Sequence, residues 1–434
     1  MPRLPFSDST AHSRKVAAQA KLLHQSEDSG VPLSTILYEA GWSYDDLVYQ
    51  KTGVKTREDS NPLTLEKLRM RETEIPVVSF FTGCGGMDLG LEAAGYSQVA
   101  SFEINELFCK TLRRNRPTWN VFGPPTHSGD VSKFEEIASS LRALIPGAFD
   151  GVFVGGPPCQ PFSIAANQRF AKWGDNFKRT GFAHEKNGNL LFDFVRLISE
   201  FKPRGFIIEN VPGLRDLDGG EQLSAAIKEL EQAGYTVEQP FVLDASHFGI
   251  AQQRQRLFVV GNRLGYSFTR PVPANVPVGA GSVLISGDSK AINNETREHK
   301  AESILRYTKL GYGERDQLGR VDRLDPSLPS KTVIAGGTNG GGRSHLHPEI
   351  PRTLSVRESA RLQTFPEDYV FVGPTARQFT QVGNAVPPVL AAQLGASVLK
   401  SYFEAKNPSS SRAKPKMDRE SNVTNWIMPA PLFT

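Results

Sequence analysis

A single cysteine stands between prolines in the stretch GGPPCQPFS, residues 155–163. Proline fixes φ and removes an amide donor, so this segment suits neither a helix nor an inner strand and holds its residues stiffly. Cys159 is thus presented on a rigid loop, without the entropy of a mobile arm. A thiol is polarisable and reaches its thiolate near neutral pH, which suits attack on a weakly activated ring carbon. Taken alone, a lone cysteine is more often a small buried hydrophobe. Glu209 shifts that balance, because it ends the strand-like run GFIIENVPG and carries a carboxyl to the same sheet edge, where it protonates or hydrogen-bonds what the thiolate attacks. Cys84, Cys109 and Cys159 are the three cysteines, an odd number with no C-x-x-C pair, so neither a disulfide framework nor a zinc site is expected, and no metal.

A second constellation lies upstream. In FFTGCGGMDLG, glycines stand where a strand hands over to a helix, a turn in which backbone approaches a ligand. The third glycine of a dinucleotide fingerprint would fall at Asp88, so a strict nicotinamide or flavin site is not expected. Glu103, at the end of the next strand, offers a carboxylate to two ribose hydroxyls, and Asp130 offers an acceptor to an adenine amino group. Together these describe an adenosine pocket with no need of pyrophosphate.

The elements that must position these groups follow from texture. The chain has 434 residues, 39% hydrophobic and 22% charged, with a formal net charge of +4, an ordinary globular composition compatible with a nucleic-acid partner but not diagnostic of one. Neither a secretory leader nor a run of ~20 apolar residues is evident, so a cytoplasmic protein is expected. Strand, turn, helix and strand alternate from about residue 75 to 261, which predicts an α/β, doubly wound, Rossmann-like sheet. Residues 262–374 lose that rhythm and predict a second, smaller irregular domain; residues 375–404 return to complete the first domain, and 405–434 have the composition of a solvated tail. Residues 1–74 carry helical stretches around a Gly-Trp turn. They read either as an appendage packed on the main body or as a helix-turn-helix, the second reading weakened by Asp45 and Asp46 at the head of its would-be recognition helix.

In order, FTGCGGMDLGLEAAG, GGPPCQPFS, ENVPG, AQQRQRLFVVG, RTLSVRESARLQTFPEDY and QVGNAVPP resemble the motifs of the DNA (cytosine-5) methyltransferases, across about residues 75–404. The resemblance implies an S-adenosylmethionine-dependent methyltransferase like the bacterial type II modification enzymes. It places Phe81, Gly83, Gly85 and Gly86 at the methionine end of the cofactor, Glu103 on the ribose and Asp130 on the adenine. Ile104, Val131, Pro158, Leu190, Asn384 and Ala385 join the same cofactor set. It implies Cys159 as nucleophile, Glu209 on the ring nitrogen of cytosine, and Arg254 and Arg256 as the pair that orders the active-site loop and contacts the base or its phosphate. Gln160, Ser163, Thr332 and Arg343 are implied on DNA, the last two in the variable target-recognition region. There, Arg306, Lys309, Arg315, Arg320, Arg323 and Lys331 are further basic residues suited to phosphate and base contacts. Arg-Leu-Gln-x-Phe-Pro is expected to support that module structurally.

These features imply methylation at C5 of one flipped-out cytosine in a short duplex site, by a protein monomeric on DNA, protecting the site from a cognate restriction endonuclease with which it forms no stable complex. A tRNA cytosine methyltransferase and a catalytically idle DNA-binding regulator are the alternatives.

Overall fold

The computed structural model describes residues 9–51, 61–70, 73–145, 147–158, 190–274, 277–285, 290–335 and 345–404. Its centre is an eight-stranded sheet made of β1 (Pro76–Phe80), β2 (Ser97–Phe102), β3 (Val121–Phe122), β4 (Val152–Gly155), β5 (Gly205–Asn210), β6 (Thr236–Val237), β7 (Phe241–Asp244) and β8 (Gln255–Asn262). The order is β3-β2-β1-β4-β5-β8-β6, with β7 also on β8. From β3 to β5 all pairings are parallel; β8 is antiparallel to β5, and β6 and β7 are antiparallel to β8. The strand RLFVVG therefore runs opposite to its neighbour, because the short β6 and β7 intervene after the helix Glu221–Gln232 and reverse the chain.

The alternation of side chains explains why helices cover both faces. Val78 and Phe80 of β1, Phe153 of β4, Phe206 and Ile208 of β5 and Leu257 and Val259 of β8 enter one buried cluster, with the helices Phe134–Leu144, Leu190–Phe201 and Glu221–Gln232. The intervening Val77, Val152, Val154, Ile207, Phe258 and Val260 enter the other, with helix Pro388–Tyr402. That last helix packs against helix Gly86–Ala93. Gly90, in helix Gly86–Ala93, allows the contact: a Cβ there would lie 2.5 Å from the Ala391 Cβ. By length and hydropathy the stretch Thr375–Tyr402 would suit a membrane span, but 72% of its most apolar window is buried and Ala385–Pro387 break the helix.

The smaller domain holds a three-stranded sheet, β9 (Arg315–Asp316), β10 (Val321–Arg323) and β11 (His345–Leu346), in the order β11-β10-β9. Helices Ser9–Ser29 and Leu33–Glu39 pack on this domain. Among the described residues no α-helix follows Gly41-Trp42 where the recognition helix would lie. Asp45 and Asp46 sit in a single 3-10 turn, Tyr44–Asp46, where the Asp46 carboxylate accepts from the Ser43 amide at 2.8 Å, and Leu47 continues in extended backbone. Leu63, Leu65 and Leu68 instead pack on the large domain, so the amino-terminal region divides between the two bodies.

Candidate active site

In an open α/β sheet, ligands bind beyond the carboxyl ends of the strands where the strand order reverses. Here that point lies between β1 and β4, and a cavity of about 470 Å³ opens there. Phe81, Gly83, Gly86, Glu103, Ile104, Asp130, Val131, Pro158, Leu190, Asn384 and Ala385 all line it, together with Glu209 and Arg256. Of the residues named for the cofactor, only Gly85 is not in the wall; at φ 83° it caps helix Gly86–Ala93.

The turn after β1 is tightly wound. Phe81 takes φ 53°, a region costly for a residue with a Cβ, and Gly83 follows at 61°. The Gly83 amide donates to Glu103 Oε2 at 2.7 Å and the Asn105 amide to Oε1 at 2.7 Å, so the carboxylate ties β1 to β2 while each oxygen keeps a further acceptor site. Burial pushes the Glu103 carboxyl up to about 7, against the pull of these amides. Ile104, next in sequence, is 60% exposed and lines the cavity, an apolar surface left for a ligand to cover. A paired acceptor, an apolar shelf and a glycine turn fit an adenosine with a short charged chain. Asp130 lines the cavity with its Oδ1 turned to the Ser132 amide (3.0 Å) and hydroxyl (2.7 Å). Asp88, where a dinucleotide site would have glycine, accepts from Gln98 at 3.1 Å and is fully buried against β2.

At the other end of the cavity Glu209 closes β5. Its Oε1 accepts from Arg256 Nε at 2.8 Å, and both side chains retain 13% exposure. Burial raises the Glu209 carboxyl above its ordinary value, opposed by Arg256 and Arg254. Gly156 crosses above it, and a Cβ there would lie 2.6 Å from Glu209 Oε2. The neighbouring Asn210 donates to the Pro157 carbonyl at 3.0 Å, anchoring the chain two residues before Cys159 to the strand that bears Glu209. Cys159, Gln160, Ser163 and Arg343 lie outside the described residues.

The two arginines of QQRQR part company. Arg254 is 1% exposed and donates to the carbonyls of Val333 (3.1 Å) and Gly383 (2.8 Å), bracing β8 to the smaller domain and to the turn before Asn384. Thr332 donates to the Gln253 carbonyl at 2.8 Å and the Val333 amide to Gln252 Oε1 at 2.8 Å, so this segment is stitched to the same strand entrance. Gln363, of Arg-Leu-Gln-x-Phe-Pro, reaches the carbonyls of Val382 (2.7 Å) and Ala385 (3.3 Å), so that stretch buttresses the cavity wall at Asn384 and Ala385. Several of the basic residues expected on DNA are engaged internally. Arg306 pairs with Asp316, Arg315 and Lys331 pair with Asp322, and Arg323 is buried between the rings of Tyr49 and Tyr312. Asn210 and Gly156 carry no chemistry of their own, and only their adjacency to Glu209 and Cys159 in the sequence hints at their positions.

The profile described as "C-5 cytosine-specific DNA methylase" matches residues 75–281 and 281–400. Type II methyltransferase M.PspPI of Psychrobacter sp. (strain TA137) is 32% identical over 353 residues, spanning 75% of this chain and 79% of its own. Type II methyltransferase M.Eco47II of Escherichia coli is 33% identical over 354 residues, spanning 74% and 78%. The solved structure of the Entamoeba histolytica methyltransferase EhMeth superposes with a TM-score of 0.55 over 76% of this chain and 99% of that one, at 15% identity, a likeness of fold. With a profile matched across most of the chain and relatives this similar over three quarters of it, the chain belongs to the C-5 cytosine-specific DNA methylase family and is an S-adenosylmethionine-dependent DNA (cytosine-5) methyltransferase of the Type II kind.

Proposed function

We propose that the protein methylates C5 of one cytosine, turned out of a short specific duplex site, through a transient bond between the Cys159 sulfur and C6. The observation that carries this reading is a single cavity with Glu103 at one end, the Glu209–Arg256 pair at the other and Pro158, bonded to Cys159, on its wall. Bound against Glu103 and the glycine turn, S-adenosylmethionine supplies a methyl group activated by its sulfonium, which keeps the bonding electron pair on transfer.

Cytosine C5 is a poor nucleophile within its ring. Addition of the Cys159 thiolate to C6 moves electron density onto the ring, with Glu209, whose proton affinity burial raises, as the group that gives a proton at N3. C5 is then an enamine carbon able to take the methyl. Loss of the C5 proton to water expels the thiolate, and N3 returns its proton to Glu209. Arg256 fixes the carboxyl that performs these transfers. A stacked base cannot reach the cavity, so DNA contacts must offset the few kcal/mol of unpairing. The protein acts as a monomer on DNA in the bacterial cytoplasm, and methylation shields the site from a partner endonuclease.

Transfer of labelled methyl from S-adenosylmethionine to duplex DNA, with tRNA as the competing substrate, tests the reading. Cys159→Ser is expected to abolish transfer, and 5-fluorocytosine at the target to trap the protein covalently. Parental turnover by Cys159→Ser, or labelling of tRNA alone, overturns it.

A further inference from the structure

Residues 9–51 lie ahead of the matched span, which begins at 75, and the reaction above assigns them no part. Along helix Ser9–Ser29, His12, Val16, Gln19, Leu23 and Ser26 are half-buried or buried, at alternating steps of four and three that make one stripe of an amphipathic helix. The stripe faces the smaller domain. Leu23, Leu33, Leu37 and Leu47 share a cluster with Ala301, Ile304 and Tyr307 of helix Ala301–Tyr307, Val321 of β10 and Leu346 of β11. Four of its nine buried members thus come from the amino-terminal segment, and without them β10 and its helix would expose their inner faces to water.

Polar contacts tie the same surfaces. The Tyr49 hydroxyl donates to the His347 carbonyl at 2.8 Å, and the Gln50 amide to the Thr308 carbonyl at 2.8 Å. Arg323 lies 3.5 Å over the Tyr49 ring and donates to the Lys51 carbonyl at 3.1 Å. Asp45 accepts from Arg352 at 2.7 Å, while both terminal nitrogens of Arg352 reach Glu358 at 2.8 Å. Downstream, the Leu63 amide donates to the Gly249 carbonyl at 3.1 Å and the Met70 amide to the Ala93 carbonyl at 2.8 Å, so the chain then seats on the large domain.

We propose that residues 9–51 are a built-in part of the target-recognition domain, holding the DNA-reading surface in shape, and are not a separate operator-binding or regulatory module. The consequence for DNA rests on the methyltransferase reading above; the consequence for the domain does not.

The test is Leu37→Ala in the full chain. Hydrogen exchange should speed up at residues 301–307 and 321–323 and stay unchanged in β1 and β4. S-adenosylhomocysteine affinity should stay at the parental value, while duplex affinity falls roughly tenfold as the binding-competent form is depleted. Unchanged exchange at 301–307 overturns the proposal. So does a chain beginning at Asn61 that methylates the same site at the parental rate. If the full chain transfers no methyl to DNA, the functional reading falls, and the exchange measurement still decides this one.

Discussion

Glu103 titrates near neutral pH. Its carboxyl is pushed from 4.5 to about 7 by burial, so the folded protein binds this proton more tightly than the unfolded chain does. Its contribution to stability is fully present below about 4.5 and is lost as pH rises through about 7. Ribose hydroxyls donate best to the ionised form, so cofactor binding near pH 7 is expected to release a proton. Calorimetric titration with S-adenosylhomocysteine in buffers of different ionisation enthalpy should then give different heats at pH 7 and converge at pH 9. Equal heats at pH 7 would remove Glu103 from the ribose. Glu209 is raised by the same cause, with Arg256 and Arg254 opposing the shift.

At the level of elements, the entrance to β8 sends one arginine into the scaffold and the next into the cavity. Removing Arg254 would leave the Val333 and Gly383 carbonyls without these donors inside the protein, at a cost of about 2–4 kcal/mol. Arg256 is held at the cavity wall by Glu209 and, among the described residues, bonds otherwise only to the neighbouring Gln255 carbonyl. Arg254→Met is therefore expected to lower the melting temperature by several degrees, with turnover falling in proportion to folded protein. Arg256→Met should melt within a degree or two of the parent and lose roughly 10²-fold in kcat. Thermal denaturation and steady-state kinetics on both variants separate the two roles, and an unchanged melting temperature for Arg254→Met would contradict the brace.

Across the whole molecule, the last helix lies beyond the smaller domain in sequence and packs against helix Gly86–Ala93 beside the cavity. Pro388–Tyr402 and Gly86–Ala93 approach so closely that a Cβ on Gly90 meets the Ala391 Cβ at 2.5 Å and the Pro388 carbonyl. Gly90→Val forces them apart, and Asn384 and Ala385 at the cavity wall move with the helix start. Overpacking of this kind costs about 1–3 kcal/mol. The variant is expected to melt lower and to bind S-adenosylhomocysteine at least about tenfold more weakly; a parental affinity would show that the carboxyl-terminal helix does not set the pocket. The amino-terminal region also touches both bodies, with Tyr49 and Gln50 bonded to the smaller domain and Leu63 and Met70 to the large one.

Alternating apolar strands from β1 to β5, and the glycine turn with Glu103 one strand on, were legible in the sequence, because each is a local pattern of period two or a turn rule. Separation of Arg254 from Arg256 was not legible. Two residues apart in a strand entrance, they are alike in type, and only the third dimension brings the Val333 and Gly383 carbonyls to one of them and Glu209 to the other. The same holds for Arg323, basic in a region read as facing DNA and buried on Tyr49, and for the amino-terminal helices, whose apolar stripe announces a partner without naming it. Sequence sets which faces must be covered. Which distant segment covers them is decided by long-range packing, where shape and unsatisfied backbone groups select among many apolar candidates.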